Sequence, residues 1–297
     1  MSPEDSDWLD SGQGSPPSPS WGFTTDAPLA DLQLAKETGD TLAADVTGGL
    51  YRLNRGGRIV SMSRGFKHLG ALAWSDTGTC GAAVLGTEQL VRFDEKLQIT
   101  WSKTLPGPVY AIAIDPFGHF IAASLGSSLT FVIGENKKLV CEFPSVRPLH
   151  FLRFVATYRD LIGAADYGVI QRQQMTGEPV WEEKLMGTVG DLAITGDGRF
   201  AYLAGFSHGV QVFDSEGCNH AGYVVKGTPS RISTSFDGSA IIVATQENYL
   251  YRMNPQGELL WAAEAPDAVA RVHSDPLGQG FICGFESGRV LRYDWPT

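Results

Sequence analysis

The chain has 297 residues, 33 acidic side chains against 23 Lys and Arg, a formal net charge of −10 and a pI near 5.0. That balance speaks against nucleic acid or an anionic membrane surface as the main partner, because both require basic patches. Apolar residues make up 43% and aromatics 10%, enough for a continuous core, and no run reaches the roughly 18 apolar residues of a membrane-spanning helix.

Residues 1–17, MSPEDSDWLDSGQGSPP, carry four acids and no base among Ser, Gly and Pro. This composition predicts a disordered acidic tail, with Trp8-Leu9 read either as a short docking motif or as part of a solubilising segment. The stretch has neither the basic start nor the apolar run of a secretory signal, so a cytoplasmic protein is expected.

From residue 18 the chain is built on a period of 40 residues. Trp21, Trp101, Trp181 and Trp261 are 80 apart, and the half-steps Ser61, Cys141 and Ala221 fall in segments of the same strand-like character. Gly78, Gly118, Gly198, Gly238 and Gly278 recur every 40, with Tyr158 breaking the series. Four of these close Asp-containing turns (DTG, DPFG, FDG, DPLG), the composition of a connection between two strands. A short apolar strand follows at Leu50, Leu90, Thr130, Ile170, Val210, Leu250 and Val290, then a turn position at Asn54, Asp94, Gly134, Gln174, Asp214, Asn254 and Asp294. The segments alternate or stay apolar for about 4–8 residues, which is strand rather than helix periodicity. Four short strands per 40-residue unit predict an all-β, seven-bladed β-propeller of antiparallel blades.

In chain order, residues 20–25 read as the last strand of a blade whose earlier strands are missing, and six blades follow at 27–66, 67–107, 108–146, 147–187, 188–227 and 228–267. Residues 268–297 supply three strands and stop. The expected resolution is that residues 20–25 complete the C-terminal blade, which closes the ring and removes free sheet edges. The domain therefore spans 18–297. With strands named a to d from the axis outward, each a strand carries one apolar anchor: Leu32, Leu72, Ile112, Leu152, Leu192, Ile232 and Val272.

Two families resemble this repeat. The pattern GxLYxL/M-N-x-x-G-x-x-x-W, as in residues 248–261 and less completely 169–181, is similar to the quinoprotein-like (PQQ-like) repeat, and the DxxG turn and spacing resemble WD-repeat propellers. The Gly-His pair and the regular Trp-Asp of the latter are absent. The resemblance implies the architecture, and a minority of quinoprotein-like propellers hold a quinone.

No phosphate loop, G-x-S-x-G elbow, H-E-x-x-H or paired-cysteine motif occurs. The six histidines are scattered, and the four cysteines lie far apart as small apolar residues kept reduced. No catalysis, cofactor or metal is expected. One constellation stands out, in the column preceding the a-strand anchors: Asp31, Ala71, Ala111, Phe151, Asp191, Arg231 and Arg271. Around a ring, Asp191, Arg231, Arg271 and Asp31 are neighbours, with His273, Arg153 and Gln33 in an adjoining column. They read either as a mutually neutralising network in the channel or as a site for an anion, a carboxylate or a quinone-type cofactor. The d–a and b–c loops share one face, where Phe66, Lys67, Arg147, Tyr167, Phe206, His208, Tyr249, Phe285 and Glu286 form a candidate partner surface. The principal reading is a monomeric protein-interaction scaffold whose protein partner the sequence leaves unknown.

Overall fold

Each 40-residue repeat folds into four antiparallel strands joined by tight turns. In the first, Leu29–Leu34, Thr41–Asp45, Leu50–Leu53 and Ile59–Ser63 pair in sequence, with Leu32 opposite Ala43, Ala43 opposite Tyr51 and Arg52 opposite Ser61. The Asn/Asp column earns its place at the third turn. Asn54 Oδ1 accepts from the Gly56 and Arg58 amides, both at 3.0 Å, and Asp94, Asp214 and Asn254 repeat the motif.

The computed structural model describes residues 7–296. Its innermost strands, which begin at Leu29, Leu69, Val109, Phe151, Pro229 and Val269, together with the second half of Pro179–Ile194, each touch the next, and the last touches the first. Seven apolar clusters sit between neighbouring units, one per junction around the circuit. All seven anchors are buried, from Leu32 at 0% to Ile112 at 7% exposed. A ring of sheets facing one another buries both sides of its inner strands, which explains the unbroken apolar runs.

Closure occurs as expected, slightly offset. Ser18–Thr24 pairs antiparallel with Arg289–Asp294, placing Trp21 opposite Arg292 and Phe23 opposite Val290. Two findings depart from the sequence reading. Pro179–Ile194 runs unbroken, so one strand is outermost in the fourth unit and innermost in the fifth, where a break at 187/188 was expected. Its link, LMGTVG, contains neither proline nor a residue at positive φ, so nothing interrupts the extended chain. The expected disordered tail is also placed from residue 7. Asp7–Asp10 forms a helical turn that buries Trp8 and Leu9, and Gln13–Gly14 adds a fifth strand beside Trp261 and Ala262. Trp8 lies 5.9 Å from Trp261 and 5.7 Å from Tyr293, ring centre to ring centre. Charge predicted disorder, but two large apolar residues suffice to dock the segment. Residues 1–6 of the expected tail lie outside the described residues.

Three of the four column tryptophans fasten one unit to a turn of the next. Trp21, Trp101 and Trp181 each donate an indole N–H at 2.9 Å to a turn carbonyl of the next unit, on Arg55, Glu135 and Ser215, always 34 residues on. Gly57 and Gly217 lie flat beneath Trp21 and Trp181 at positive φ, where a Cβ would come within 2.6 and 2.8 Å of the ring. Where the column has Ser61 instead of Trp, Leu97 takes the turn position at φ 62° and buries its own side chain.

Candidate functional site

The charged column lines the mouth of a central cavity of about 400 Å³. Its polar groups lie on one arc, formed by units four, five, six, seven and one, and each reaches to a neighbour. Arg153 Nη2 contacts Asp191 Oδ1 at 3.3 Å, and Asp191 Oδ2 accepts the Ile232 amide at 3.2 Å. Arg231 Nε donates to Ala270 O at 2.7 Å, Arg271 Nε to Asp31 Oδ1 at 2.8 Å, and His273 Nε2 meets Leu32 O at 2.7 Å. The side chains of the column thus lie along one arc, each with its own partner. Arg231 pairs with main-chain carbonyls rather than with an acid, and Asp191 is neutralised by Arg153 instead. Gln33 makes only a long contact, 3.5 Å, to Asp31. Ala71 and Ala111 leave the opposite arc open.

The electrostatics follow from this wiring. The Asp31 carboxylate raises Arg271 above the ordinary guanidinium value against the opposing effect of burial, whereas burial and then the Arg271 charge lower Arg231. Replacing Arg271 by Ala strips Asp31 of its cation. The expected loss is about 1–3 kcal/mol, at about 2–4 °C of melting temperature for each kcal/mol. A variant that melts with the wild type would show that water already neutralises the pair.

The d–a and b–c loops form the face around this mouth. Lys67, Arg147, Tyr167, His208 and Glu286 are exposed there, and Phe206 and Tyr249 are half-buried. Phe66 and Phe285 are corrected: both are core residues, 1% and 0% exposed. Phe66 packs edge-on to Phe93, ring centres 5.0 Å apart, because a loop that ends against the neighbouring unit turns its aromatic ring inward. The Arg147 guanidinium lies over Tyr167 at 5.4 Å and the Lys226 ammonium over Tyr249 at 4.6 Å. Sequence reasoning missed Val146, Met186 and Val224 on the same face. They are 68%, 82% and 92% exposed, and their departure from the polar loop pattern was the available signal.

No protein-family model matches the chain, and no curated protein matches it in sequence. Among solved structures, the beta-propeller domain of Myceliophteria thermophila Cps50 (Swd1) superposes with a TM-score of 0.80 at 16% identity, covering 95% of this chain and 100% of that domain. This chain is a β-propeller. At such identity the likeness is one of fold, and the chemistry of the propeller must be argued from its own residues.

Within the propeller the four cysteines are free thiols. Among the described residues no group of three or more His, Cys, Asp and Glu could hold a metal ion, and no helix is long and apolar enough to cross a membrane. His273 is displaced within the range near neutral pH: burial lowers it from 6.5 to about 4, opposed by its hydrogen bond to Leu32 O. The folded blade therefore holds a neutral imidazole whose Nε2–H donates, while the unfolded chain binds a proton below pH 6.5. Since the unfolded state binds more protons between about pH 4 and 6.5, stability must rise with pH across that window. In urea unfolding, His273→Gln is expected to flatten the loss between pH 6.5 and 5 by about 1–2 kcal/mol. Parallel pH profiles for variant and wild type would contradict this assignment.

Proposed function

We propose that this propeller is a non-catalytic protein-interaction scaffold that docks its partner on the face of the d–a and b–c loops. The observation that carries the reading is the set of apolar side chains left in water there, Val146, Tyr167, Met186 and Val224, beside the two cation–aromatic pairs. Large aromatic and apolar groups rimmed by charge are what docking surfaces favour, and a rigid closed ring presents them without an ordering cost. The opposite face also exposes Phe117, Tyr158 and Leu277, but these belong to single a–b turns, and Phe117 is stacked on His119 with ring centres 6.1 Å apart. The acidic balance fits a protein partner better than a polyanion. Membership among WD-repeat or quinoprotein-like propellers, a monomeric state and a cytoplasmic location complete the reading.

The test is co-purification from the native cell. The wild type should retain one protein at fixed stoichiometry, and Tyr167→Ala/Met186→Asp should lose it at unchanged melting temperature. Retention by the double variant would move the contact off this face.

A further inference from the structure

The channel arc holds one cation more than its acids neutralise. Arg271 pairs with Asp31 and Arg153 with Asp191, while among the described residues no carboxylate comes within ion-pairing distance of Arg231. Neither acid is free to swing across. Asp31 Oδ1 already accepts the Leu32 amide at 2.8 Å, and Asp191 is held by the amides of Leu192 and Ile232 at 2.8 and 3.2 Å. Arg231 and Arg271 are fixed side by side, because Ala270 O accepts from Arg231 Nε at 2.7 Å and from Arg271 Nη1 at 2.9 Å. Arg231 Nη1 is spent on Ser230 O at 2.8 Å. That leaves the Nη2 group of each arginine without an acceptor among the described residues, beside a cavity of about 400 Å³.

Two neighbouring guanidiniums with one counter-ion repel, and partial burial strengthens the repulsion. An oxyanion placed against both would relieve it and accept two charge-assisted hydrogen bonds from pre-set donors. Across the channel the same column carries Ala71, Ala111 and the half-buried Phe151, and the two alanines are where the space comes from. The volume lies within the range of small-molecule pockets. We infer that the channel mouth binds a small oxyanion, an organic carboxylate or phosphate, through Nη2 of Arg231 and Arg271, with any organic body against Ala71 and Ala111. The site shares no residue with the proposed docking surface around it, so either can fail alone.

The experiment is calorimetric titration of the full chain with succinate and with inorganic phosphate at constant ionic strength, with chloride as the control. Saturable binding of succinate, with a Kd of about 1 mM or tighter, supports the site with an organic ligand. Binding of phosphate alone supports it with an inorganic one. Arg231→Gln should weaken either by about tenfold or more. Ala111→Leu, which leaves every arginine in place, should exclude succinate and keeps the test decisive if Arg231→Gln is unstable. No saturable binding of either anion, or equal binding by both variants and wild type, overturns the inference.

Discussion

Removal of residues 1–24 should leave a chain that cannot hold the folded ring, whereas Trp8→Ala should lower the melting temperature by only a few degrees. The two segments differ in what depends on them. Ser18–Thr24 is the fourth strand of the last blade. Without it the Arg289–Asp294 edge loses its hydrogen-bond partners and becomes an open template for aggregation. Trp21 also vacates its seat on the Gly57 turn of the first blade, with the indole bond to Arg55 O. Burial of a tryptophan is worth about 3–5 kcal/mol against alanine, and the ladder adds to it, together a large part of a stability of about 5–15 kcal/mol. Residues 7–14, by contrast, can undock as a unit, so the most that Trp8→Ala removes is their docking energy. Burying Trp8 and Leu9 gains about 1.5–3 kcal/mol each, and fixing each backbone residue costs about 1–2 kcal/mol, so the net is small. Urea unfolding followed by tryptophan emission separates the cases. A truncated 25–297 chain that unfolds at the wild-type midpoint would contradict closure by this strand.

The second large effect is expected at Arg172. It is 7% exposed, binds Asp160 Oδ2 through Nε at 2.9 Å and Nη2 at 2.8 Å, and ties its blade to the next through Nη1 and Gly198 O at 3.1 Å. Arg172→Ala strands a carboxylate in the interior, at about 3–5 kcal/mol, while replacing both partners by apolar residues of similar volume removes most of that penalty. Arg172→Met/Asp160→Leu is therefore expected to be clearly more stable than Arg172→Ala. Equal midpoints for the single and double variants would show that Asp160 is hydrated in the folded state.

Arg172 also shows where the sequence was hard to read. The period of 40, the anchors and the closing strand were legible because they rest on apolar alternation and turn chemistry, which are local. Arg52, Arg92, Arg172, Arg252 and Arg292 also share a column, broken by Val132 and Val212, yet an arginine in a strand looks like a solvated residue. Only the packed ring shows Arg92, Arg172 and Arg252 donating to Gly118, Gly198 and Gly278 of the following blade, at 2.9, 3.1 and 3.4 Å. The same limit applies at the site. Circular order brought Asp31, Asp191, Arg231 and Arg271 together on paper, but the choice of Arg153 as the partner of Asp191 depends on side-chain reach across blades. Phe66 and Phe285 looked exposed because their loops are at the surface, and the loop direction that buries them is a property of the neighbouring blade. In the tail, an acidic composition concealed two residues large enough to dock.

The central functional claim is that one face of the ring is the docking surface, and site-specific photo-crosslinking tests it most directly. A photoreactive residue placed in turn at 167, 186 and 224 on the d–a and b–c side, and at 117, 158 and 277 on the other, samples both faces in the native cell. The account predicts one common protein adduct from the first three positions and none from the second three. Adducts confined to 117, 158 and 277 would contradict it.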